Sequence, residues 1–176
     1  MYMPNMEKHT MDIFQFAMEK EKFAEDYYRQ LSRKTSNKGL SNILTMLADE
    51  EKKHFRVVQR MQRKTPQTIA ETDVLRNAKA IFQKMRESAE SFNLDVTELQ
   101  LYEKARDIEK ESRRFYLEKA GEVADASHRE IFKKLADEEQ KHFALLQGIC
   151  DFVARPQWFL ENAEIYRFDD YVDGVL

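Results

Sequence analysis

The chain has 176 residues, 35% of them charged and 11% aromatic, with only 4 Gly and 3 Pro; this balance excludes a disordered segment and points to one all-α domain rather than an all-β fold. The formal charge of -3 is spread with both signs interspersed, so no basic stripe offers itself to nucleic acid or to a membrane surface. Cys150 is the single cysteine, which excludes an internal disulfide or a four-cysteine metal site within the chain. "MYMPNMEKHT" lacks an apolar signal core, and no run of about 18 apolar residues is present, so a soluble, cytoplasmic protein is expected.

Helical periodicity predicts helices over residues 6–34, 40–63, 96–120 and 127–153. "KTSNKG" and "GEVADAS" supply the short polar turns that join the first two and the last two into hairpins. A crossover over about 64–95 separates the hairpins and is long enough to hold its own helix, predicted at 72–88. Such a crossover can return along the bundle, placing the second and third long helices parallel. "DVTE" at Asp95 to Glu98 has capping-box spacing for the start of the third long helix. Residues 1–153 thus form the bundle, and the aromatic tail 154–176 is expected to pack on it or on a partner subunit.

Two phrases, "LADEEKKHF" from Leu47 and "LADEEQKHF" from Leu135, differ at one position and stand 88 residues apart. The offset also relates Glu21 to Glu109, Tyr28 to Tyr116 and Ala48 to Ala136, so the hairpins are related units. Each long helix carries an apolar stripe in steps of three or four residues, and each stripe is broken by a carboxylate. The interruptions are Glu21, Glu51, Glu109 and Glu139, with His54 and His142 one turn beyond the second and fourth. In an antiparallel hairpin, residues equidistant from the turn share a height. Glu21 therefore faces Glu51, and Glu109 faces Glu139.

Four inward carboxylates are costly in a low-dielectric core unless cations compensate them. Two divalent ions balance four carboxylates, and neutral imidazoles add nitrogen ligands. Oxygen and nitrogen donors without thiolate suit iron or manganese. Coordination positions left to outside ligands would admit dioxygen or peroxide.

With these six residues the chain resembles the ferritin-like di-iron carboxylate superfamily, and within it the rubrerythrin-type proteins, over nearly all of 6–153. The resemblance implies a ferritin-like four-helix bundle and a centre of two iron ions, with manganese or a mixed pair as alternatives. It makes Glu21 and Glu109 terminal ligands, Glu51 and Glu139 bridging ligands at the catalytic centre, and His54 and His142 ligands of one ion each. It implies an oxidoreductase acting on hydrogen peroxide or dioxygen, and a homodimer of such bundles as the assembled form. Rubrerythrins carry an appended four-cysteine rubredoxin domain that this chain lacks, so a separate rubredoxin-like donor is expected. They also carry a further Glu three residues after the third helix's ligand, where this chain has Ser112. Iron handling by ferrous oxidation, storage or transfer is the alternative function; a manganese catalase-like enzyme and a purely structural bundle are lesser ones.

Other residues carry weaker readings. Glu50 and Glu138 are expected either as solvated charges or as acceptors for the free N–H of the opposite hairpin's imidazole. Tyr28 and Tyr116, two turns beyond Glu21 and Glu109, are core tyrosines whose hydroxyls lie within reach of a ligand carboxylate. His9 and His128 read as surface or helix-end residues, and Cys150 as a small buried hydrophobe.

Overall fold

The structure is a computed structural model that describes residues 12–65, 67–88 and 94–162. Its elements in chain order are α1 (Ile13–Lys34), α2 (Lys38–Gln62), α3 (Val74–Glu87), a 3-10 turn (Val96–Glu98), α4 (Leu99–Glu122), α5 (Ala126–Ala154) and α6 (Pro156–Glu161). The first predicted helix keeps its end at Lys34, while its predicted start at 6 and His9 lie outside the described residues.

Side-chain caps set the hairpin turns. The Asn37 side chain accepts from Leu40 N at 2.9 Å to open α2, and Asp125 accepts from His128 N at 2.8 Å to open α5. Asp95 accepts from Thr97 N at 2.9 Å, so "DVTE" opens a 3-10 turn and the α-helix proper begins at Leu99. Pro156 at the first turn of α6 suits a position whose N–H has no helical partner.

The broadest packing lies within the hairpins, α1 on α2 and α4 on α5. Across the hairpins α1 meets α4, with Phe16 on Phe115 at 5.3 Å between ring centres and the Tyr27 hydroxyl donating to Leu101 O at 3.0 Å. Early α1 thus lies beside late α4, so these helices are antiparallel and α2 runs parallel to α4. The crossover helix α3 packs on α2, α5 and α6. At Gly39 a Cβ would fall onto Met85 Cε, so the bare backbone there lets α3 come close.

The predicted stripes are the buried ones. Leu40, Leu44, Leu47, Glu51, His54, Val58 and Met61 are buried on α2, and Phe132, Leu135, Glu139, His142, Leu146, Ile149 and Val153 on α5. The core divides above and below the polar level: one apolar cluster holds Leu47, Leu146, Phe82 and Phe152, the other Ala17, Val58, Tyr116 and Phe132. α6 was not anticipated as a helix. It folds back so that Phe159 meets Phe82 and Phe152 at 5.1 and 5.8 Å between ring centres.

Truncating Phe159 to Ala is expected to lower unfolding free energy in urea by about 3 kcal/mol, whereas Trp158→Ala, on the exposed side of the same helix, costs under about 1 kcal/mol. Equal effects would mean that α6 is not part of the core.

Candidate metal centre

The α-helical period brings Glu51 and His54 to one face of α2, and Glu139 and His142 to one face of α5. Glu21 on α1 and Glu109 on α4 complete the level, and all six side chains are at most 3% exposed. The imidazoles lie nearly parallel, 5.4 Å apart between ring centres and 16° between planes.

The distances separate two kinds of carboxylate. His54 Nδ1 lies 3.2 Å from Glu139 Oε1, 3.7 Å from Glu21 Oε2 and 3.9 Å from Glu51 Oε2. His142 Nδ1 lies 2.9 Å from Glu51 Oε1, 3.5 Å from Glu139 Oε2 and 3.7 Å from Glu109 Oε2. Glu51 and Glu139 face both imidazoles, as bridging groups must. Glu21 faces only His54, and Glu109 only His142.

These atoms are close without bonding one another. Glu21 Oε2, Glu51 Oε1, Glu109 Oε2, both Glu139 oxygens and the Nδ1 atoms of both histidines are buried with no hydrogen-bond partner. An unpaired buried polar group ordinarily costs about 1–3 kcal/mol, and charged groups cost more. Ligand atoms at about 2.0–2.2 Å from a shared ion lie about 3–4 Å from one another, which is the observed spacing. Glu51, His54, Glu139 and His142 offer ligand atoms that all fall within 4.8 Å of one another. The donor set therefore fits metal. Glu25 makes the contrast: also buried, it receives Lys22 Nζ at 3.3 Å and Arg29 Nε at 3.0 Å and leaves nothing for an ion to satisfy.

Crowding of charge at this level displaces the acidities of its members. Burial first, and then the nearby Glu139 charge, push Glu109 up to about 8 from an ordinary 4.5. Burial, and then Glu109, Glu139 and Glu21, hold Glu51 well above the carboxylate range. Burial also works against Glu139, but the adjacent Glu109 carboxyl and the two neighbouring imidazoles outweigh it and bring this carboxyl below its ordinary value. Burial disfavours charge on His54 and His142, yet the surrounding carboxylates raise both well above the usual imidazole range.

Tyr28 and Tyr116 both reach ligand carboxylates, and they do so crosswise. The Tyr28 hydroxyl of α1 donates to Glu109 Oε1 of α4, and that of Tyr116 of α4 donates to Glu21 Oε1 of α1. Burial and then the nearest carboxylate raise both phenols well above their ordinary value, so they remain donors. Each one fixes one oxygen of a terminal carboxylate and leaves the other oxygen facing the imidazole.

Of the two expectations for Glu50 and Glu138, contact with an imidazole is the one not met. Neither touches an imidazole among the described hydrogen bonds: Glu50 pairs with Lys53 at 2.5 Å, and Glu138 accepts from Thr72 N and Lys141 Nζ, each at 3.1 Å. Both lie beside the stripe rather than on it. The crossover passes over α5 and buries Glu138, and no signal in the sequence pairs Thr72 with it. His128 is a helix-start residue whose ring meets Phe14 at 5.3 Å. Cys150 is buried, which pushes its thiol up to about 12, so it packs as a hydrophobe.

The sequence model of the Rubrerythrin family matches residues 12–150. The chain belongs to the rubrerythrin family. The matched span is the family's di-iron, ferritin-like domain, and it contains all six residues of the polar level. Comparison with curated proteins and with solved structures gave no match. No helix among the described residues is long and apolar enough to cross a membrane.

Two outcomes follow for this rubrerythrin-family site. A carboxyl raised in the fold contributes stability below its ordinary value and loses it as pH climbs through the raised one. Metal-free protein should therefore weaken between about pH 4.5 and 8, and the Tm gain from anaerobic ferrous addition should grow from pH 6 to 8 as bound protons are displaced. A gain independent of pH would contradict this. Tyr116→Phe, which leaves Glu21 Oε1 without its donor, should cost about 1–3 kcal/mol and loosen metal retention against a chelator.

Proposed function

We propose that the chain is a non-heme di-iron oxidoreductase that reduces hydrogen peroxide or dioxygen with electrons from a separate donor, such as a rubredoxin-like protein. One observation carries this reading: two imidazoles share Glu51 and Glu139, each imidazole has one carboxylate of its own, and the inward atoms have no protein partner. Glu21, Glu51, His54, Glu109, Glu139 and His142 would hold the ions. Two iron ions are the proposed cofactor, with manganese or a mixed pair as the other oxygen- and nitrogen-loving choices.

When bound, the ions supply two electrons, which with two protons convert hydrogen peroxide to two molecules of water. The chain's own residues prepare the place. Glu51 and Glu139 set the separation of the two half-sites. Tyr28 and Tyr116 orient the terminal carboxylates and keep hydroxyl protons at Glu109 Oε1 and Glu21 Oε1. Apolar layers above and below, with Leu47, Leu135, Val58 and Leu146 fully buried, exclude bulk water. A cytoplasmic homodimer is proposed on the family resemblance, without a nucleic-acid or membrane partner.

Ser112 favours a second reading. It stands where rubrerythrin-type proteins carry a further Glu, so α4 offers the ions no extra carboxylate, and an iron-handling ferroxidase would need none. Anaerobic loading with ferrous iron, followed by peroxide or dioxygen, tests the proposal. A charge-transfer absorption is expected in the wild type and is expected to vanish in Glu51→Ala and Glu139→Ala that keep their helicity. Repeated turnover with added reductant and retained iron supports the oxidoreductase; release of the oxidised iron supports the handling protein. Unchanged iron stoichiometry in both variants would overturn the site.

A further inference from the structure

The two sides of the polar level are packed differently. On α2 and α5 the polar level is flanked by Leu47 and Leu146 on one side and by Leu135 and Val58 on the other, with Ala48 and Ala136 beside the leucines. On α1 and α4 the flanking residues are small, with Ala17 and Ala24 flanking Glu21, and Ala105 and Ser112 flanking Glu109. The α1–α4 seam is thus flanked by small side chains at the level of the carboxylates.

A solvent-open cleft of about 280 Å³ sits on that seam. Phe16, Phe23 and Ile108 form its walls, Glu19 and Glu111 its rim, and Ser112 its inner surface. The cleft lies at the height of the carboxylates, because its α1 residues bracket Glu21 and its α4 residues bracket Glu109. Ser112 is 4% exposed and one helical turn from Glu109, and its hydroxyl has no hydrogen-bond partner among the described residues. Its hydroxyl opens onto the cleft, where it can donate to and accept from a small polar visitor. Lys20, which also lines the cleft, holds its ammonium 5.7 Å from the ring centres of both Phe16 and Phe115. The walls are otherwise apolar and aromatic.

We propose that this cleft is the way in for a small uncharged oxidant of the size of hydrogen peroxide, and that Ser112 is the specificity-determining residue at its inner end. The hydroxyl exchanges hydrogen bonds with the arriving molecule, and the apolar walls with the Glu19 and Glu111 rim discriminate against anionic or bulky ones. This inference rests on the oxidoreductase reading, which makes such a molecule the substrate.

Access can be read without metal. In a Cys150→Ala background, S112C in the folded protein should react with the small neutral reagent methyl methanethiosulfonate, and at least tenfold more slowly with an anionic sulfonatoethyl analogue. Adding Glu19→Trp, which fills the mouth from the exposed rim without entering the core, should slow the neutral reagent at least tenfold. In protein carrying its full ferrous complement, Glu19→Trp and Ser112→Leu should each slow oxidation by hydrogen peroxide at least tenfold. Absence of labelling in the folded protein, or a wild-type peroxide rate in iron-loaded Glu19→Trp, would overturn the proposal. Wild-type protein that takes up iron and ignores peroxide would instead overturn the functional reading, so the two failures are distinguishable.

Discussion

Four carboxylates withdrawn from water at one level of a helical bundle are the constraint on which everything else in this protein depends. Each ion taken from water into a protein interior costs several kcal/mol even after relaxation, and like charges side by side add to that. Every ion pair that the described residues give Glu21, Glu51, Glu109 and Glu139 is made with an imidazole. In the metal-free fold, raised carboxyls and imidazoles hold protons in compensation. Divalent ions would do the same work with more charge in the same space, which would couple metal uptake to proton release and to stability.

The doubled sequence explains how four carboxylates and two imidazoles reach one level. A pseudo-twofold relation turns one hairpin's half-site toward the other, so Glu51 and Glu139 each approach both imidazoles and each tyrosine serves the opposite hairpin. The crossover breaks that relation. It lies along the α5 side, where Thr72 N is received by Glu138, while Glu50 at the equivalent place stays paired with Lys53 near the surface. Equivalent letters in a repeat therefore have different surroundings wherever a connecting segment covers only one copy.

Much of the site was legible in the sequence because a charged residue in an apolar stripe contradicts its surroundings. Glu21, Glu51, Glu109 and Glu139 announced themselves in this way, and the turn positions gave their common height. The crosswise partners of Tyr28 and Tyr116 were not legible, since stripe spacing shows which face a side chain occupies and not which neighbouring helix it reaches. Nor could Glu50 and Glu138 be distinguished before the path of the crossover was known. The six-residue α6 leaves too few turns for a periodic pattern, and its identity rests on Phe159 and Leu160 finding cover. The seam at Ser112 likewise emerges only when the side-chain sizes of four helices are compared at one level.

Anomalous diffraction at the iron edge, from crystals grown with ferrous iron under anaerobic conditions, tests the central claim most directly. Two strong peaks are predicted inside the cage, both bordered by Glu51 and Glu139, one adjoining His54 and Glu21 and the other adjoining His142 and Glu109. A cage without anomalous density, closed instead by hydrogen bonds from protonated imidazoles to the carboxylates, would contradict the account.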